Sequence, residues 1–398
     1  MNNEIKESIA STIKSLDKEL REISLKIHDD PELGNKEFHA YKLLTEYIKS
    51  KGFEVSHKIA GLETAFMAKY SNNKSGRRVG FVCEYDSLVG VGHACGHNII
   101  TVQGLACSLA LKTLMEQGLV QGTVVLFGTP AEETTSGKIN IVKEGILQDN
   151  VDYAMMLHPF AQDGIYSRML ALDSADIEFF GKASHAGMAP WNGINAVDAL
   201  MQGFDNIGLL RQQILPTDRV HGIITNGGAA ANVIPAYASA HFYARSVTKD
   251  QLKDLKPRVD NCFKAAALAT GCEIKIQWGK LGPVEDVFMN DALALNYKHY
   301  MEKEGITYRS RIDEEQTSTG STDMGNFSYA VPSIHPAYGI HTTAANHTKE
   351  FAAAARTLVA HQDTLRAAKC LSMTAAEVMV NDDLYKQVVD DFKKGKPQ

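Results

Sequence analysis

Apolar residues recur along the first segment at steps of four and three: Ile5, Ile9, Ile13, Leu16, Leu20, Ile23 and Ile27. That spacing lines one face of a helix and predicts a long amphipathic α-helix. Pro31 and Gly34 interrupt it, and Phe38, Tyr41, Leu44 and Ile48 predict a second helix of the same kind. After Gly52 the period changes. Arg78–Cys83, Thr123–Phe127 and Tyr153–Leu157 read as buried strands, separated by helical stretches over Ile99–Gln117 and from Lys138 onward. Strand, helix, strand, helix, strand predicts an α/β domain around a mostly parallel sheet.

The texture shifts near Leu170. Ala175–Phe179 alternates apolar and polar, as a strand with one wet face does. A helix from Asn195 to about Gln213, strands near His221–Thr225 and Ala238–Ala244, a helix over Lys253–Ala269 and a strand at Glu273–Trp278 complete a βαββαβ order. That order predicts a compact α+β unit of the ferredoxin-like kind. The helical pattern resumes after Gly282-Pro283, with final helices expected at Lys349–Leu371 and Ala375–Lys393. The expected organisation is therefore a first domain of residues 1–171 and 284–398, interrupted by a second at 172–283.

Composition narrows the function classes. The chain has 398 residues, 44% hydrophobic and 22% charged, an ordinary globular mix. A net charge of −6 argues against a nucleic-acid binder, which usually carries a basic face, without excluding a small basic pocket for an anionic ligand. Charges are scattered through the first twenty residues, unlike a signal peptide, and no apolar run is expected to span a membrane. Six cysteines without a repeating framework predict free thiols and a cytoplasmic, reducing setting.

The chemistry gathers where glycines and histidines meet. Gly90-Val91-Gly92-His93-Ala94-Cys95-Gly96-His97-Asn98 follows the strand that ends at Cys83-Glu84-Tyr85-Asp86. Loops at the carboxyl ends of parallel strands are where α/β domains place ligands, and a thiolate with an imidazole suits zinc and similar ions. By itself the segment also fits a Gly-rich turn around a buried thiol. The next strand exits into Thr129-Pro130-Ala131-Glu132-Glu133. Adjacent carboxylates repel in a poorly solvated site, which a cation relieves, although a solvated acidic turn reads the same way. The third strand ends at His158, which alone fits a core histidine. Three successive strand ends delivering Cys95 and His97, then Glu132 and Glu133, then His158 turn weak signals into a constellation.

Through these motifs the chain resembles the co-catalytic metallopeptidases and amidohydrolases related to aminoacylase and the glutamate carboxypeptidases. His93-Ala94-Cys95-Gly96-His97 matches the amidohydrolase branch, and Glu84-Tyr85-Asp86-Ser87-Leu88 with Asn98 resembles its aminobenzoyl-glutamate hydrolase and Xaa-Arg dipeptidase-like subgroup; many other members have Asp at Asn98. The resemblance implies that Cys95, His97, Glu133 and His158 are metal ligands and Glu132 the general base. It implies a last ligand at His347, in Asn346-His347-Thr348-Lys349-Glu350-Phe351, with His341 as the competing choice. Asp86 would be a partner orienting a ligand.

The resemblance extends to the inserted unit, which would be a lid and dimerisation domain. Gly181-Lys182-Ala183-Ser184-His185-Ala186 implies that His185 contacts the substrate carbonyl, often across a dimer interface, and steadies the oxyanion. Asn232 would contact substrate and Arg245 its carboxylate, against an ordinary strand-end salt bridge. Gly320-Ser321-Thr322-Asp323 resembles a loop lining the site. The implied activity is hydrolysis of a dipeptide or N-acyl amino acid with two divalent ions, Zn2+ or Mn2+, in a homodimer. Rival readings are a non-catalytic metal-binding protein on the same fold and an enzyme using the Cys95 thiol as nucleophile.

Overall fold

The computed structural model describes residues 1–72, 75–316 and 320–395. The chain divides into two compact units, Met1–Arg168 with Val287–Ser318 and Thr322–Gln398, and Met169–Asp286 with Thr319–Ser321. The last three residues of the expected first domain, 396–398, lie outside the described residues. The first passage runs α1 (Asn3–Asp29), α2 (Phe38–Ser50), β1 (Glu54–His57), β2 (Phe66–Ser71), β3 (Arg77–Glu84), α3 (His97–Glu116), β4 (Gly122–Thr129), α4 (Gly137–Lys143), α5 (Ile146–Asn150), β5 (Tyr153–Met155) and β6 (His158–Phe160). The second unit contributes β7 (Ala171–Phe180), β8 (Ser184–His185), α6 (Ala196–Leu210), β9 (Arg219–Asn226), β10 (Val233–Ile234), β11 (Tyr237–Ser246), α7 (Lys249–Thr270) and β12 (Glu273–Trp278). The chain then returns through α8 (Asp291–Lys303), α9 (Arg311–Glu315), α10 (Met324–Ala330), β13 (Ser333–Ile334), β14 (Ala337–Gly339), α11 (Lys349–Ala355), α12 (Leu358–Val380) and α13 (Asp382–Gly395).

The first unit is built on a six-stranded sheet in the order β1-β2-β4-β3-β5-β13. β4, β3, β5 and β13 run parallel, and β2 and β1 add an antiparallel edge. Every residue of β4 is buried, as a parallel strand covered on both faces must be. The sequence pattern did not mark β1 and β2 as strands, because Glu54–His57 is short and mostly exposed. All seven apolar residues of the α1 stripe are buried, and the Asn2 side chain caps the helix by accepting from the Glu4 N–H. In α2 the buried positions are Ala40, Leu44, Thr45 and Ile48, whereas Phe38 is exposed and Tyr41 half-buried. The expected helix at Lys349–Leu371 is broken at Thr357, whose hydroxyl accepts from the Ala360 N–H and starts α12. Asn381 likewise caps α13 through the N–H groups of Asp383 and Leu384, so the boundary expected before Ala375 falls at Val380.

α3 overturns the expectation that no apolar run approaches a membrane span: its 20 residues are long and apolar enough by composition to cross a bilayer. Its place in the fold explains the composition. It packs against β3 and β4 on one side and α1 and α12 on the other, so no face needs to be polar.

The second unit is a four-stranded antiparallel sheet, β12-β7-β11-β9, with α6 and α7 packed against it. β7 alternates buried and open positions along its length, burying Ala171, Asp173, Ala175, Ile177 and Phe179. Lys256 neutralises the one carboxylate in that set, Asp173, at 2.5 Å. A two-stranded ribbon, β8 with β10, pairs His185 with Val233 at one end of the unit.

Candidate metal centre

Three parallel strands end at one edge of the first sheet, and each delivers ionisable groups there. β3 ends in Glu84 and leads to Asp86, and the glycine loop beyond it turns into α3 at Gly96. Gly96 has φ 78°, and a Cβ there would stand 2.6 Å from the Pro159 ring, so this turn requires glycine twice over. β4 runs out into Ala131, which holds a left-handed φ of 61°. The Glu37 carboxylate accepts from the Ala131 N–H at 2.8 Å and from the Thr64 hydroxyl at 2.7 Å. The Ala131 carbonyl accepts from the Ser136 N–H at 2.7 Å, so Glu132 and Glu133 sit on a pinned turn.

The side chains converge. Cys95 Sγ lies 3.4 Å from His158 Nε2, and His347 Nε2 lies 3.3 Å from Glu133 Oε1. His97 Nε2 faces Glu84 Oε2 at 3.4 Å and Glu133 Oε1 at 4.0 Å. Ligand atoms of Cys95, His97 and His158, of Cys95, Glu133 and His347, and of His97, Glu132 and Glu133 lie within 4.8 Å of one another in each set. His347 reaches this place from a backbone with φ 69°, anchored by its N–H on the Ala94 carbonyl at 2.8 Å. His341 belongs to none of these sets among the described residues; its Nδ1 bonds the Asp363 carboxylate at 2.6 Å.

Partners fix the rings so that one nitrogen of each points inward. Asp86 accepts from His97 Nδ1 through its carbonyl at 2.8 Å and its carboxylate at 3.0 Å. Its other carboxylate oxygen accepts from the Glu133 N–H at 2.9 Å. The Pro159 carbonyl accepts from His158 Nδ1 at 2.9 Å. Such contacts orient ligands and set their tautomers. Burial alone would raise the Asp86 carboxyl, but the His97 charge and these hydrogen bonds hold it below the ordinary range.

Residues 80–368 match the peptidase family M20/M25/M40. The chain belongs to the M20 peptidases. It is 38% identical to the human (Homo sapiens) Xaa-Arg dipeptidase over 96% of this chain and 91% of that protein. It is 26% identical to a component chain of the p-aminobenzoyl-glutamate hydrolase of Escherichia coli K12, over 94% and 92% of the two chains. A solved Bacillus subtilis structure described as a dinuclear metal-binding peptidase of the M20 family superposes with a TM-score of 0.65 at 18% identity, covering 91% of this chain and 99% of that one. The protein is thus an M20 hydrolase acting on peptide bonds, with the two-domain α/β architecture of that family.

The donor set of this M20 chain fits a divalent cation. Glu84 Oε2, His97 Nε2 and Glu133 Oε1 are buried and find no hydrogen-bond partner among the described residues, an expensive condition unless something positive stands among them. Donor pairs on one tetrahedral ion with bonds of about 2.0–2.3 Å stand roughly 3.3–3.6 Å apart, and the Cys95–His158 and His347–Glu133 pairs match that spacing. Burial, followed by the Glu133 charge, pushes the Cys95 thiol upward. A nucleophilic thiol needs the opposite shift, which counts against the thiol-enzyme reading. Burial and the carboxylates of Glu133, Glu84 and Asp323 likewise push the Glu132 carboxyl well up, although Glu132 keeps part of its surface open.

Asn98, the position where the amidohydrolase branch more often carries Asp, has a packing explanation. Its Nδ2 donates to Ser24 Oγ at 3.0 Å and to the Ala355 carbonyl at 3.2 Å, two bonds a carboxylate could not donate. Sequence reasoning assigned no task to Glu37, Lys138 or His335. Lys138 is fully buried between Glu84 and Asp323, and His335 packs its ring 5.5 Å from that of His158.

In the second unit the structure brings His185 and Asn232 together, with the Ala186 N–H donating to the Asn232 carbonyl at 3.0 Å. His185 is exposed, and its Nδ1 accepts from the N–H groups of Gly187 at 3.2 Å and Met188 at 3.1 Å. The neutral ring therefore carries its proton on Nε2, as an outward donor. Arg245 is elsewhere. It pairs with Leu172 and Arg219 at the far end of β11 and donates to Ser321 Oγ at 3.1 Å. It lies eight positions along the strand from Tyr237 at the ribbon end, about 26 Å of extended strand. Asn232 and Arg245, expected to fix one free carboxylate between them, are thus set apart within this unit.

Proposed function

We propose that this M20 hydrolase is a metal-dependent dipeptidase or amidohydrolase that cleaves the amide bond of a small dipeptide or N-acyl amino acid carrying a free carboxylate. One observation carries the reading: Glu132 sits within 4.8 Å of His97 and Glu133 in a cluster whose inward-facing donors lack partners. Cys95, His97, Glu133, His158 and His347 would hold two divalent ions, Zn2+ or Mn2+ by donor chemistry. When bound, such ions supply positive charge that polarises a carbonyl and acidifies water.

The chain's own groups do the rest. Glu132 accepts the proton of the attacking water at its carboxylate and returns it to the departing amine nitrogen. A divalent charge offsets the burial and the neighbouring carboxylates that otherwise push the Glu132 carboxyl up. Asp86 holds the His97 ring and the Glu133 backbone in register. His185 donates from Nε2 to the developing oxyanion, Asn232 contacts the substrate, and Arg245 pairs with its carboxylate. A substrate of dipeptide size does not span about 26 Å, so His185 with Asn232 and Arg245 serve one substrate only if a second copy of the chain contributes. A homodimer meets that requirement. The exposed edge strand β9, which presents Ile223 and Ile224, suits such pairing. All six cysteines are free thiols, in keeping with a cytoplasmic setting.

The names of the similar proteins point to the same chemistry, a dipeptide ending in Arg and an aminobenzoyl amide of glutamate. The test is a hydrolysis screen of Zn2+- or Mn2+-loaded protein against Xaa-Arg and other dipeptides, aminobenzoyl-glutamate and N-acetyl amino acids, with and without chelator. Chelator-sensitive release of the carboxyl-terminal amino acid supports the reading. Turnover that chelation leaves intact but thiol alkylation removes would replace it with the thiol enzyme. Metal binding without turnover of any substrate would leave a non-catalytic metal protein.

A further inference from the structure

Among the described residues, the mechanism leaves a fully buried cation, Lys138, unused. Lys138, near the start of α4, is fully enclosed, and its Nζ donates to Glu84 Oε1 and, at 2.6 Å, to Asp323 Oδ1. Its backbone N–H donates to Asp323 Oδ2 at 2.9 Å. Glu84 and Asp323 are also without exposed surface. The three residues come from separate pieces of chain: the end of β3, the start of α4 and the position just before α10. Buried ion triads seldom add stability over apolar side chains of similar volume. Fold stability is therefore a poor account of this one, and its location offers a better account.

Carboxylate oxygens of Glu84, Asp323 and Glu132 lie within 4.8 Å of one another. Glu84 also faces the site directly, because its second oxygen, Oε2, stands 3.4 Å from His97 Nε2. Three carboxylates this close repel, and a flexible glutamate on a turn has the freedom to swing away. One ammonium bonded to two of them removes that freedom from the pair behind Glu132 and cancels half their charge. The wall against which Glu132 rests is thereby rigid and carries one net negative charge instead of two.

We propose that Lys138 is a positioning residue: its ammonium, acting through Glu84 and Asp323, fixes the place of the Glu132 carboxylate in the site. This rests on the amidohydrolase reading above. A misplacement of about 1 Å in a reacting group costs on the order of 10²-fold in rate, and that sets the expected effect.

The experiment compares wild type, Lys138→Met and the double variant Lys138→Met/Asp323→Asn, which keeps the triad's net charge while removing the ammonium. Each is loaded with Zn2+ or Mn2+ and measured for bound metal, Tm, kcat and KM on the best substrate of the screen. Positioning predicts bound metal like wild type, KM within about threefold, and kcat lowered about 10²-fold in both variants. The double variant should recover Tm lost by Lys138→Met without recovering kcat. If kcat returns with Tm in the double variant, or if Lys138→Met keeps kcat within about threefold of wild type, the proposal is overturned. A rise in KM in place of the fall in kcat overturns it as well. Failure of both variants to fold makes the triad a requirement of the fold and also overturns it. Wild type is assayed first: no turnover across the whole panel sinks the amidohydrolase reading, whereas an active wild type with unaffected variants sinks only the role of Lys138.

Discussion

The two units handle charge in opposite ways. At the strand ends of the first unit, Glu84, Asp86, His97, Lys138 and Asp323 are buried almost completely, and two of their polar atoms, Glu84 Oε2 and His97 Nε2, find no hydrogen-bond partner among the described residues. In the second unit the buried Asp173 is matched by Lys256 at 2.5 Å, other ion pairs reach the surface, as in Lys275 with Glu178 at 3.0 Å, and His185 faces solvent with its Nδ1 satisfied by backbone. Buried and incompletely paired charge raises free energy unless a ligand or a reaction uses it. On the function proposed above, that contrast assigns the chemistry to the first unit and leaves the second for contacts made on its surface.

The largest expected effect tests the centre of that contrast. Glu132→Gln should retain bound metal yet lose about 10²–10⁴-fold in kcat; comparable turnover at unchanged metal content would remove Glu132 from the general-base role. Next comes the metal set. Asp86→Asn should weaken metal binding about 10–100-fold, and His347→Ala by more, as read by competition with a chelating dye. If His341→Ala weakens it and His347→Ala does not, the last ligand has been misassigned.

In the second unit, Arg245→Met should raise KM for substrates with a free carboxylate by roughly 10–100-fold, the value of a charged hydrogen bond, and leave a carboxamide analogue unaffected. Equal effects on both would make Arg245 a strand-end contact. A pH experiment sharpens the comparison differently. Burial, then the Lys138 charge, depresses the His335 imidazole to about 3, below the roughly 6.5 of an unfolded chain. Between those values the unfolded state binds more protons, so stability is full above about 6.5 and falls as pH drops toward 3. Thermal melts of metal-free protein should show that slope, and His335→Leu should flatten it. The smallest effect belongs to the surface: Lys275→Ala should leave the thermal melt essentially where wild type has it.

How much was legible follows from which interactions are local. The α1 stripe, the apolar runs of β3, β4 and β5 and the alternation in β7 are periods of 3.6 and 2, set by side-chain direction within each element. They located the two units and the order of the strand ends, and with them Cys95, His97, Glu132, Glu133 and His158. Short, exposed strands such as β1 carry too few buried positions to leave a period. The break between α11 and α12 turned on the hydroxyl of Thr357, a capping signal in a stretch whose apolar pattern continues across it.

The sequence by itself determined the fold class, the family and the residues that deliver chemistry to one sheet edge, because those follow from local periodicity and from motifs within a few residues. Tertiary structure alone decided the rest. Lys138 meets Glu84 across 54 residues and Asp323 across 185, a closure no local pattern encodes. It separated His347 from His341 by placing one ring beside Glu133 and the other beside Asp363. It also set Asn232 beside the β8–β10 ribbon and Arg245 at the far end of β11, because strand register, fixed by cross-strand hydrogen bonds, decides which residues become neighbours.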